Sequence, residues 1–445
     1  MATDRDARLP SGRPVVRRDF PQQPGAAAAD AYDRRRVRVH GARRRPAPRH
    51  RRGAPPMISV LYFSNTLARG GAEEHLLTLL RGLDRHRFRP ALVCAPEVAE
   101  KIRRDVPRDV PLTALRLRKP YEIGAASALL SIMRARRPDI VHSHLFHSSL
   151  FASPIAALAR VPLVVETPHL RESWRRGLKA RYVVDRIAGR FVDQYIAVSD
   201  ANRRYLVEEK GLARHKVVVI HNGCDLRRFN PHHRAPAGMR ESLGFGASDP
   251  VLVVVGRLEP QKGHRVLFDA LPAVRAQFPR VRLVCVGEGA LRRELEQQVA
   301  ASGLGDAVRF VGQQANVADW LALADVTVLP SFFEGLPLAA IESLAAGRPM
   351  VASAVDGTPE VVIDGATGLT VPPGDADGLA RALGRLLGDR RLREKLALAG
   401  RAWVLERFNE DRQIQRTEAL YHLALSRLGR LPRPDGVPAT AWGPR

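Results

Sequence analysis

Cysteine is scarce in this sequence, with only three among 445 residues. Cys94, Cys224 and Cys285 have no metal-ligand spacing, and Cys94 and Cys285 lie in apolar, strand-like runs. Cysteines that bind metal recur at short, fixed spacings. We therefore expect no cysteine metal site, and we interpret the cysteines as small core residues in a reducing compartment.

Long apolar runs are also missing. A membrane-spanning helix needs about 20 consecutive apolar residues, and the most apolar stretches, 123–133 and 150–159, are shorter and are each followed by an arginine. The first residues lack the apolar core of a signal peptide. With 45% apolar and 26% charged residues, the composition is typical of a soluble globular protein. We expect the chain to stay in the cytoplasm.

Acidic residues are outnumbered by basic ones, 46 to 71, which gives a net charge of +25. Residues 1–56 hold 15 Arg and five Asp, a charge of +10, with almost no aromatic or β-branched residues. Such a segment cannot bury enough apolar surface to offset its ordering entropy, so we predict a disordered Arg/Pro-rich tail over 1–56. Two interpretations stay open: an arm for nucleic acid or lipid, or a dispensable or untranslated stretch before a start at Met57.

From Met57 onward, short apolar runs alternate with longer helical segments in two series. Near-continuous apolar strands separated by helices are typical of parallel sheets covered on both faces, so the fold class is α/β with two Rossmann-like domains. The predicted strands are 58–63, 90–95, 139–142, 162–166, 193–198 and 217–220, then 251–255, 281–286, 308–311, 325–329 and 350–353.

The break between the two series falls near 226–248, where Pro, His and Gly accumulate. We predict domains over 57–228 and 229–400, one helix over 401–430 that packs back toward the first domain, and a flexible tail over 431–445. Open parallel sheets bind ligands outside the carboxyl ends of their strands. With two facing sheets, that position is a cleft between the domains.

A loop after strand 251–255 carries two cations, Arg257 and Lys262, between Gly256 and Gly263. A diphosphate suits this arrangement, because Arg offers a planar fork of donors, Lys a point charge, and glycine a close backbone approach. The alternative is a solvated loop with ordinary surface charges.

A second loop precedes a predicted helix over 337–346 and holds Glu334, with Glu342 inside the helix. The amides of Gly335, Leu336 and Leu338 would point free N–H groups at an anion. Two carboxylates framing such a helix end can accept hydrogen bonds from sugar hydroxyls. The alternatives are a solvent-facing Glu342 and a Glu334 that only complements the helix dipole.

These residues resemble motifs of the family 4 glycosyltransferases. Members of that family have two facing Rossmann-like domains, which is called the GT-B architecture. The resemblance spans about residues 58–425, and order and spacing both fit. Besides the Arg/Lys loop and the Glu-x7-Glu pair, the matching motifs are Val286-Gly287-Glu288-Gly289, Arg309-Phe310-Val311-Gly312, Ala324 to Ser331, Pro349 to Ser353 and Asp364 to Leu369.

The resemblance implies a retaining transfer of a hexose-type sugar from a UDP-sugar or GDP-sugar, with no essential metal. Arg257 and Lys262 resemble the diphosphate clamp. Glu342 resembles the glutamate that binds the ribose, and Glu334 the glutamate that faces the donor sugar in a catalytic role. The backbone of Gly335 and Leu336 would contact sugar or phosphate, and the segment Val311-Gly312 would face the nucleobase.

The first half matches less densely. Gly70 and Gly71 precede a helix and resemble a turn that approaches the donor phosphate from across the cleft, although a plain turn is the alternative. His169 follows a strand end and resembles a catalytic histidine near the reacting sugar, although a structural role stays open. His142 and His144 are predicted to pack at a strand end, and 220–225 resembles a hinge-side turn.

The sequence does not identify the acceptor of the sugar. Residues 170–190 form one predicted helix with seven cations and two acids. A basic amphipathic helix is typical of contact with an anionic membrane surface, while packing on the first domain is the alternative. The acceptor would be lipid-linked or a saccharide, in glycolipid, cell-envelope or exopolysaccharide synthesis, and the enzyme would be cytoplasmic or peripheral on the inner face of the plasma membrane.

Three other functions compete with this interpretation. A nucleotide-sugar epimerase shares the architecture, but the Glu-x7-Glu context disfavours it. A phosphorylase with pyridoxal phosphate lacks a convincing cofactor lysine. A basic nucleic-acid-binding protein explains the charge but not the glutamate pair or the Arg/Lys loop, so we expect no specific nucleic-acid partner.

Overall fold

A computed structural model of the chain describes residues 57–66, 70–117, 122–171 and 182–431. The tail predicted over 1–56, residues 432–445 and residues 172–181 of the predicted basic helix lie outside these ranges. The strands are β1 Ile58–Ser64, β2 Phe88–Cys94, β3 Leu112–Ala114, β4 Ile140–His144, β5 Leu163–Thr167, β6 Gln194–Ala197, β7 Val217–Val219, β8 Val251–Val255, β9 Arg282–Val286, β10 Val308–Gly312, β11 Val326–Leu329, β12 Met350–Ser353 and β13 Leu369–Val371.

Helices follow most of these strands. They are α1 Gly71–Gly82, α2 Pro96–Ile102, α3 Ile123–Arg136, α4 Phe146–Leu158, α5 Tyr182–Ala188, α6 Asp200–Arg204, α7 Met239–Ser242, α8 His264–Gln277, α9 Arg292–Ala301, α10 Val317–Leu323, α11 Leu338–Ala345, α12 Thr358–Val361, α13 Ala376–Gly388, α14 Arg390–Arg407 and α15 Glu410–Arg427.

The strands form two parallel sheets, which confirms the predicted fold class. The first sheet has the order β3-β2-β1-β4-β5-β6-β7 and the second the order β10-β9-β8-β11-β12-β13. Strands such as Val251–Val255 are apolar throughout and almost fully buried, because helices cover both faces of the sheet. In each sheet the strand order reverses once, beside β1 and beside β8, and such switch points are where these folds bind ligands.

The chain passes from the first sheet to the second within residues 220–250, since β7 belongs to one and β8 to the other. The predicted boundary at 228/229 lies in this passage. Among the described residues, no helix combines the length and the apolar character that a membrane crossing requires. All three cysteines are free and buried.

The single helix predicted over 401–430 is wrong, because the structure has two helices there. Helix α14 ends at Arg407, and α15 starts at Glu410 with the Asn409 side chain as its cap. Between them the backbone pairs with Cys224, whose N–H donates to the Phe408 carbonyl (3.0 Å) and whose carbonyl accepts from Glu410 N–H (3.2 Å). These bonds use groups that a continuous helix would need for itself.

The second of these helices packs on the first sheet. Tyr421 is fully buried, and its hydroxyl lies 3.1 Å from that of Tyr62 on β1 and 2.5 Å from His142 Nδ1 on β4. Ile414, Leu420 and Leu425 join the same apolar cluster. Helix α15, the last helix among the described residues, therefore completes the core built by the first strands.

Candidate active site

The carboxyl ends of the two sheets meet at one junction, formed by Gly70, Gly71, His169 and Ser199 on one side and Arg257, Gly335 and Leu338 on the other. Ser199 Oγ donates to the Gly335 carbonyl at 2.9 Å. A Cβ added to Gly335 would lie 1.8 Å from the His169 carbonyl oxygen. Only glycine allows the two backbones to come this close, so the predicted sugar-contacting residue Gly335 lies beside the predicted catalytic residue His169.

A second set of contacts holds the junction from one side. Glu360 on α12 accepts hydrogen bonds from the N–H groups of Asp200 (3.0 Å) and Ala201 (2.9 Å) and from His221 Nε2 (3.1 Å). The Asn222 side chain donates to the Leu336 carbonyl at 3.3 Å. The predicted hinge-side turn over 220–225 thus contacts the second sheet's loops directly.

The Arg/Lys loop is fixed by the neighbouring loop. Its last turn, Pro260–Lys262, is a 3-10 helix that ends at Gly263, where φ is +64°. A Cβ at Gly263 would lie 2.0 Å from the Pro330 carbonyl oxygen, so the position requires glycine. Arg257 is exposed, and its guanidinium lies 3.4 Å from Gln261 Oε1.

Lys262 and Glu334 form an ion pair that the sequence did not indicate. Lys262 Nζ donates to Glu334 Oε1 at 2.6 Å, and Ser331 Oγ donates to the same oxygen at 2.8 Å. Their side chains are 16% and 5% exposed. The predicted phosphate-binding cation and the predicted catalytic carboxylate therefore share one site.

The helix behind Glu334 starts one residue later than predicted. Pro337 is the residue before the helix, with φ −74° and ψ 111°, because α11 begins at Leu338. Within the described part of the chain, the N–H groups of Gly335, Leu336 and Leu338 have no hydrogen-bond acceptor. These free donors and the helix dipole create a positive site at this loop.

Glu342, inside α11, is half-buried. Burial raises the pKa of its carboxyl to about 8, the negative charge of Glu74 on α1 adds to the rise, and Arg228 opposes it. Glu74 belongs to α1, the helix that follows the glycine turn, so the charge of that helix acts on this carboxyl. This carboxyl therefore loses its proton less readily than an ordinary glutamate does.

The glycine turn is held by Glu73, a residue that the sequence analysis missed. Glu73 Oε2 accepts from Gly70 N–H at 2.8 Å, and its other oxygen accepts from Thr66. A Cβ at Gly70 would lie 3.9 Å from Arg257 Nε, and one at Gly71 would lie 3.7 Å from Leu338 Cδ1. The turn thus faces the Arg/Lys loop and the α11 terminus. Glutamate three residues after the N-cap is the half of a capping box that remains when the N-cap is glycine, and this spacing could have revealed Glu73.

His169 belongs to a buried histidine cluster, His75, His144 and His169. His169 Nε2 lies 3.0 Å from His144 Nδ1, and the His75 ring packs edge-on against His169 at 4.7 Å. His75 Nδ1 pairs with Asn222 Oδ1 at 2.8 Å. Burial holds the pKa values of His144 and His169 well below their usual range, so both rings are neutral.

Three ring nitrogens of this cluster, one from each histidine, lie within 4.8 Å of one another, close enough to ligate a metal ion. Within the cluster a hydrogen bond joins His144 to His169, whereas His75 contacts His169 through its ring and bonds to Asn222. His142 lies outside this set of three but packs against it, since its ring centroid is 4.4 Å from that of His144, and it bonds to Thr167 Oγ1 (2.7 Å) and Tyr421. No sequence spacing links His75 to the other two rings.

Val311 and Gly312 lie at the carboxyl end of β10. The Gly312 carbonyl accepts from Gly287 N–H at 2.9 Å, and the Val311 carbonyl accepts from the Gln314 amide at 2.6 Å. Strand β9 separates them from β8 and its Arg/Lys loop. The candidate donor site thus runs across four adjacent strand ends, from β10 to β11.

Comparisons with known proteins match both halves of the chain to glycosyltransferase families. The family model described as glycosyltransferase family 4 matches residues 69–228, and that described as glycosyl transferases group 1 matches residues 249–389. A glycogen synthase of Mycobacterium tuberculosis is 35% identical over 314 residues, 68% of this chain and 72% of the relative.

Two further proteins are similar. A GDP-mannose-dependent alpha-(1-6)-phosphatidylinositol monomannoside mannosyltransferase of Mycolicibacterium smegmatis is 35% identical over 57% of this chain and 68% of its own. The crystal structure of Anabaena HepE in complex with UDP-glucose superposes with a TM-score of 0.72 and 23% identity, over 82% of this chain and 99% of that one. At that identity the likeness establishes the fold, two facing Rossmann-like domains.

Proposed function

This chain belongs to the family 4 glycosyltransferases, and from that premise we propose that it transfers a hexose-type sugar, with retention, from a nucleotide diphosphate donor to a hydroxyl acceptor. The observation that supports this most is the convergence of Arg257, Lys262 and the free N–H groups of α11 on one side of the junction. Cations and backbone donors fixed in advance stabilise a leaving diphosphate without reorganisation.

The donor would lie along the strand ends. Its diphosphate would contact Arg257, Lys262 and the α11 terminus, and its ribose would reach Glu342. Its base would lie by Val311-Gly312, and its sugar between Glu334 and His169. The base is uracil or guanine: HepE is described with UDP-glucose, and the mannosyltransferase is named for GDP-mannose.

The reaction would proceed on one face of the sugar. The acceptor oxygen bonds to the anomeric carbon as the bond from that carbon to the phosphate oxygen breaks, and the acceptor proton passes to the departing phosphate. No divalent ion is required in this proposal, because Arg257, Lys262 and the helix terminus supply the positive charge. Asp375 and Asp377 have the spacing of a metal-binding pair, but Asp375 caps α13 by accepting from Gly378 N–H at 2.8 Å.

The acceptor would be a saccharide or a lipid-linked molecule at an anionic membrane surface. Val183, Ile187 and Phe191 recur every four residues and are 46%, 50% and 41% exposed. Arg186 and Arg190 lie among them and are also exposed. Apolar side chains beside cations suit the boundary between headgroups and acyl chains.

Thermal unfolding of the full chain in the presence of chelator tests the donor site. UDP, GDP and their hexose conjugates are compared, and a ligand that binds the folded state raises the melting temperature. We expect a selective rise that Arg257→Ala abolishes. Arg265→Ala is the matched control, since Arg265 is an exposed arginine on α8 that pairs with Glu294.

A transfer assay with the selected donor then separates the competing functions. A glycosyltransferase forms a glycoside whose anomeric configuration matches the donor, and it needs an acceptor to do so. An epimerase of the same architecture changes the nucleotide sugar without any acceptor. No shift with any donor, or epimerisation alone, would overturn the proposal.

A further inference from the structure

Asp356, between β12 and α12, has a backbone conformation that is unfavourable for its residue type. Its φ is +40°, a region that residues with a Cβ rarely adopt. Glycine would adopt it without strain. Strain that persists in a well-packed loop is often retained because the side chain is needed there, so the contacts of the Asp356 carboxylate are informative.

One oxygen of that carboxylate holds the backbone of Glu334. Asp356 Oδ2 accepts from Glu334 N–H at 3.0 Å. The side chain of Glu334 is held separately, by Lys262 and Ser331. Asp356 therefore fixes the peptide from which the Glu334 side chain projects and which leads into Gly335, without touching the carboxylate of Glu334.

The other oxygen faces a cation from the first sheet. Asp356 Oδ1 lies 3.6 Å from Arg171 Nη1, and the Asp356 side chain is 18% exposed. Arg171 follows His169 by two residues, pairs also with Glu209 and lies over the Tyr205 ring at 5.2 Å. Arg171, which belongs to the same half as His169, thus contacts Asp356, the residue that holds the Glu334 backbone.

The next residue ties this turn to the junction. A Cβ at Gly357 would lie 2.0 Å from the Gly335 carbonyl oxygen and 3.0 Å from Ser199 Oγ. Gly335 and Ser199 are the two residues whose hydrogen bond joins the halves. The turn Asp356-Gly357 therefore contacts both the catalytic loop and the opposing half.

We propose that Asp356 is a positioning residue that couples the contact between the two halves, through Arg171, to the orientation of Glu334. The coupling rests on the proposed function, because it matters only if Glu334 faces the donor sugar. Burial raises the pKa of the Asp356 carboxyl, whereas Arg171 and the Glu334 N–H oppose the rise, so the ion pair helps to keep the carboxyl charged. If the halves separated, Asp356 would lose its cation, and the carboxylate that holds the Glu334 N–H would lose its anchor on the first half.

The test compares Asp356→Gly with Asp356→Asn. Glycine removes the strain and the carboxylate together, so we expect a melting temperature no lower than that of the wild type. We expect kcat to fall about 10- to 100-fold, the usual cost of a misplaced catalytic group, with donor Kd within about threefold. Asparagine keeps an acceptor for Glu334 N–H but loses the ion pair with Arg171, so its kcat should fall less than that of Asp356→Gly and by the same factor as in Arg171→Gln.

Substitution of Arg171 provides a second test of the coupling. Arg171→Gln should lower kcat in the wild-type background and have no further effect in Asp356→Asn, because the two residues act through one contact. Arg227→Ala is the control, since Arg227 also bridges distant segments, through Asp225 and Glu410, but lies on the exposed surface.

Wild-type kcat in Asp356→Gly, or additive effects of the Arg171 and Asp356 substitutions, would overturn the coupling while leaving the proposed function intact. A loss of kcat that parallels a loss of melting temperature in both Asp356 variants would overturn it as well, since that pattern reports folding. If the wild-type chain transfers no sugar from any donor, both the proposed function and the coupling are refuted.

Discussion

Lys262 donates to Glu334 at 2.6 Å, across 72 residues of sequence. The family resemblance assigns these side chains to different parts of the donor, phosphate and sugar, yet each is the other's partner here. Both are largely buried, so each charge depends on the other for compensation. An incoming diphosphate would compete with Glu334 for the ammonium, and the donor would thereby release the carboxylate toward the sugar.

Substitution of either partner should affect both catalysis and stability. We expect Glu334→Ala to lower kcat by about 10²-fold or more and to leave the Lys262 charge buried without a partner, at a cost of about 3 kcal/mol in unfolding free energy. Glu334→Gln should lose a similar part of kcat but less stability, because its amide oxygen still accepts from Lys262. Denaturant unfolding and initial rates measure the two effects, and a fully active Glu334→Ala would refute the assignment.

Donor affinity should depend on pH through Glu342. The pKa of the free carboxyl is about 8, and ribose hydroxyls that donate to a carboxylate favour its ionised form, so binding releases a proton. Affinity should therefore rise with pH, by at most about tenfold per pH unit below pH 8, and level off above it. Titration calorimetry across this range measures it. Glu342→Gln has no titrating group and should give a flat profile, and an equally steep profile in that variant would contradict the role of Glu342.

Removal of metal should leave transfer unchanged. Arg257, Lys262 and the α11 terminus supply the positive charge in our proposal, so we expect the same kcat after exhaustive chelation and in the presence of Mg²⁺. The informative control is His144→Gln, which removes one nitrogen of the histidine cluster. Activity that disappears with chelator, returns with Zn²⁺ and is absent in His144→Gln would mean that the cluster binds a catalytic metal.

Contact with membranes should depend on the exposed apolar residues of α5. We expect the full chain to float with anionic vesicles at low salt, and substitution of Val183 and Ile187 by Asn to reduce the floating fraction several-fold, because less apolar area enters the bilayer. Leu398→Asn is the control, since Leu398 is 73% exposed on a different helix, α14. Equal flotation of the double variant and the wild type would remove α5 from the proposal.

The sequence predicted the parts of the fold that depend on local pattern. Short runs of mainly apolar residues such as 251–255 and 350–353 became strands with the predicted bounds. Strands β3 and β13 were missed because each has only three residues with a threonine at the centre, whereas the equally short β7 lies in a continuous apolar run, Val217 to Ile220. The break at Phe408 was missed because its cause, pairing with Cys224, comes from a residue 184 positions earlier in the chain.

The candidate site likewise divides into residues that the sequence predicted and residues that it did not. Residues in continuous motifs, such as Arg257, Gly335 and Glu342, were named from the sequence and lie at the junction. Asp356 was not, because nothing in its neighbourhood reports its contacts with Glu334 and Arg171. Side-chain pairs between distant segments depend on how the sheets face each other, and a single sequence carries no local signal of that.

The position of α15 in the first core has a consequence for synthesis. Tyr62 and His142 are made early, but their partner Tyr421 leaves the ribosome only with the last helix. Domains usually fold in the order in which they are translated. Here part of the apolar cluster of the first half would stay uncovered until the second half has been synthesised. The strands made first would therefore reach their final packing last.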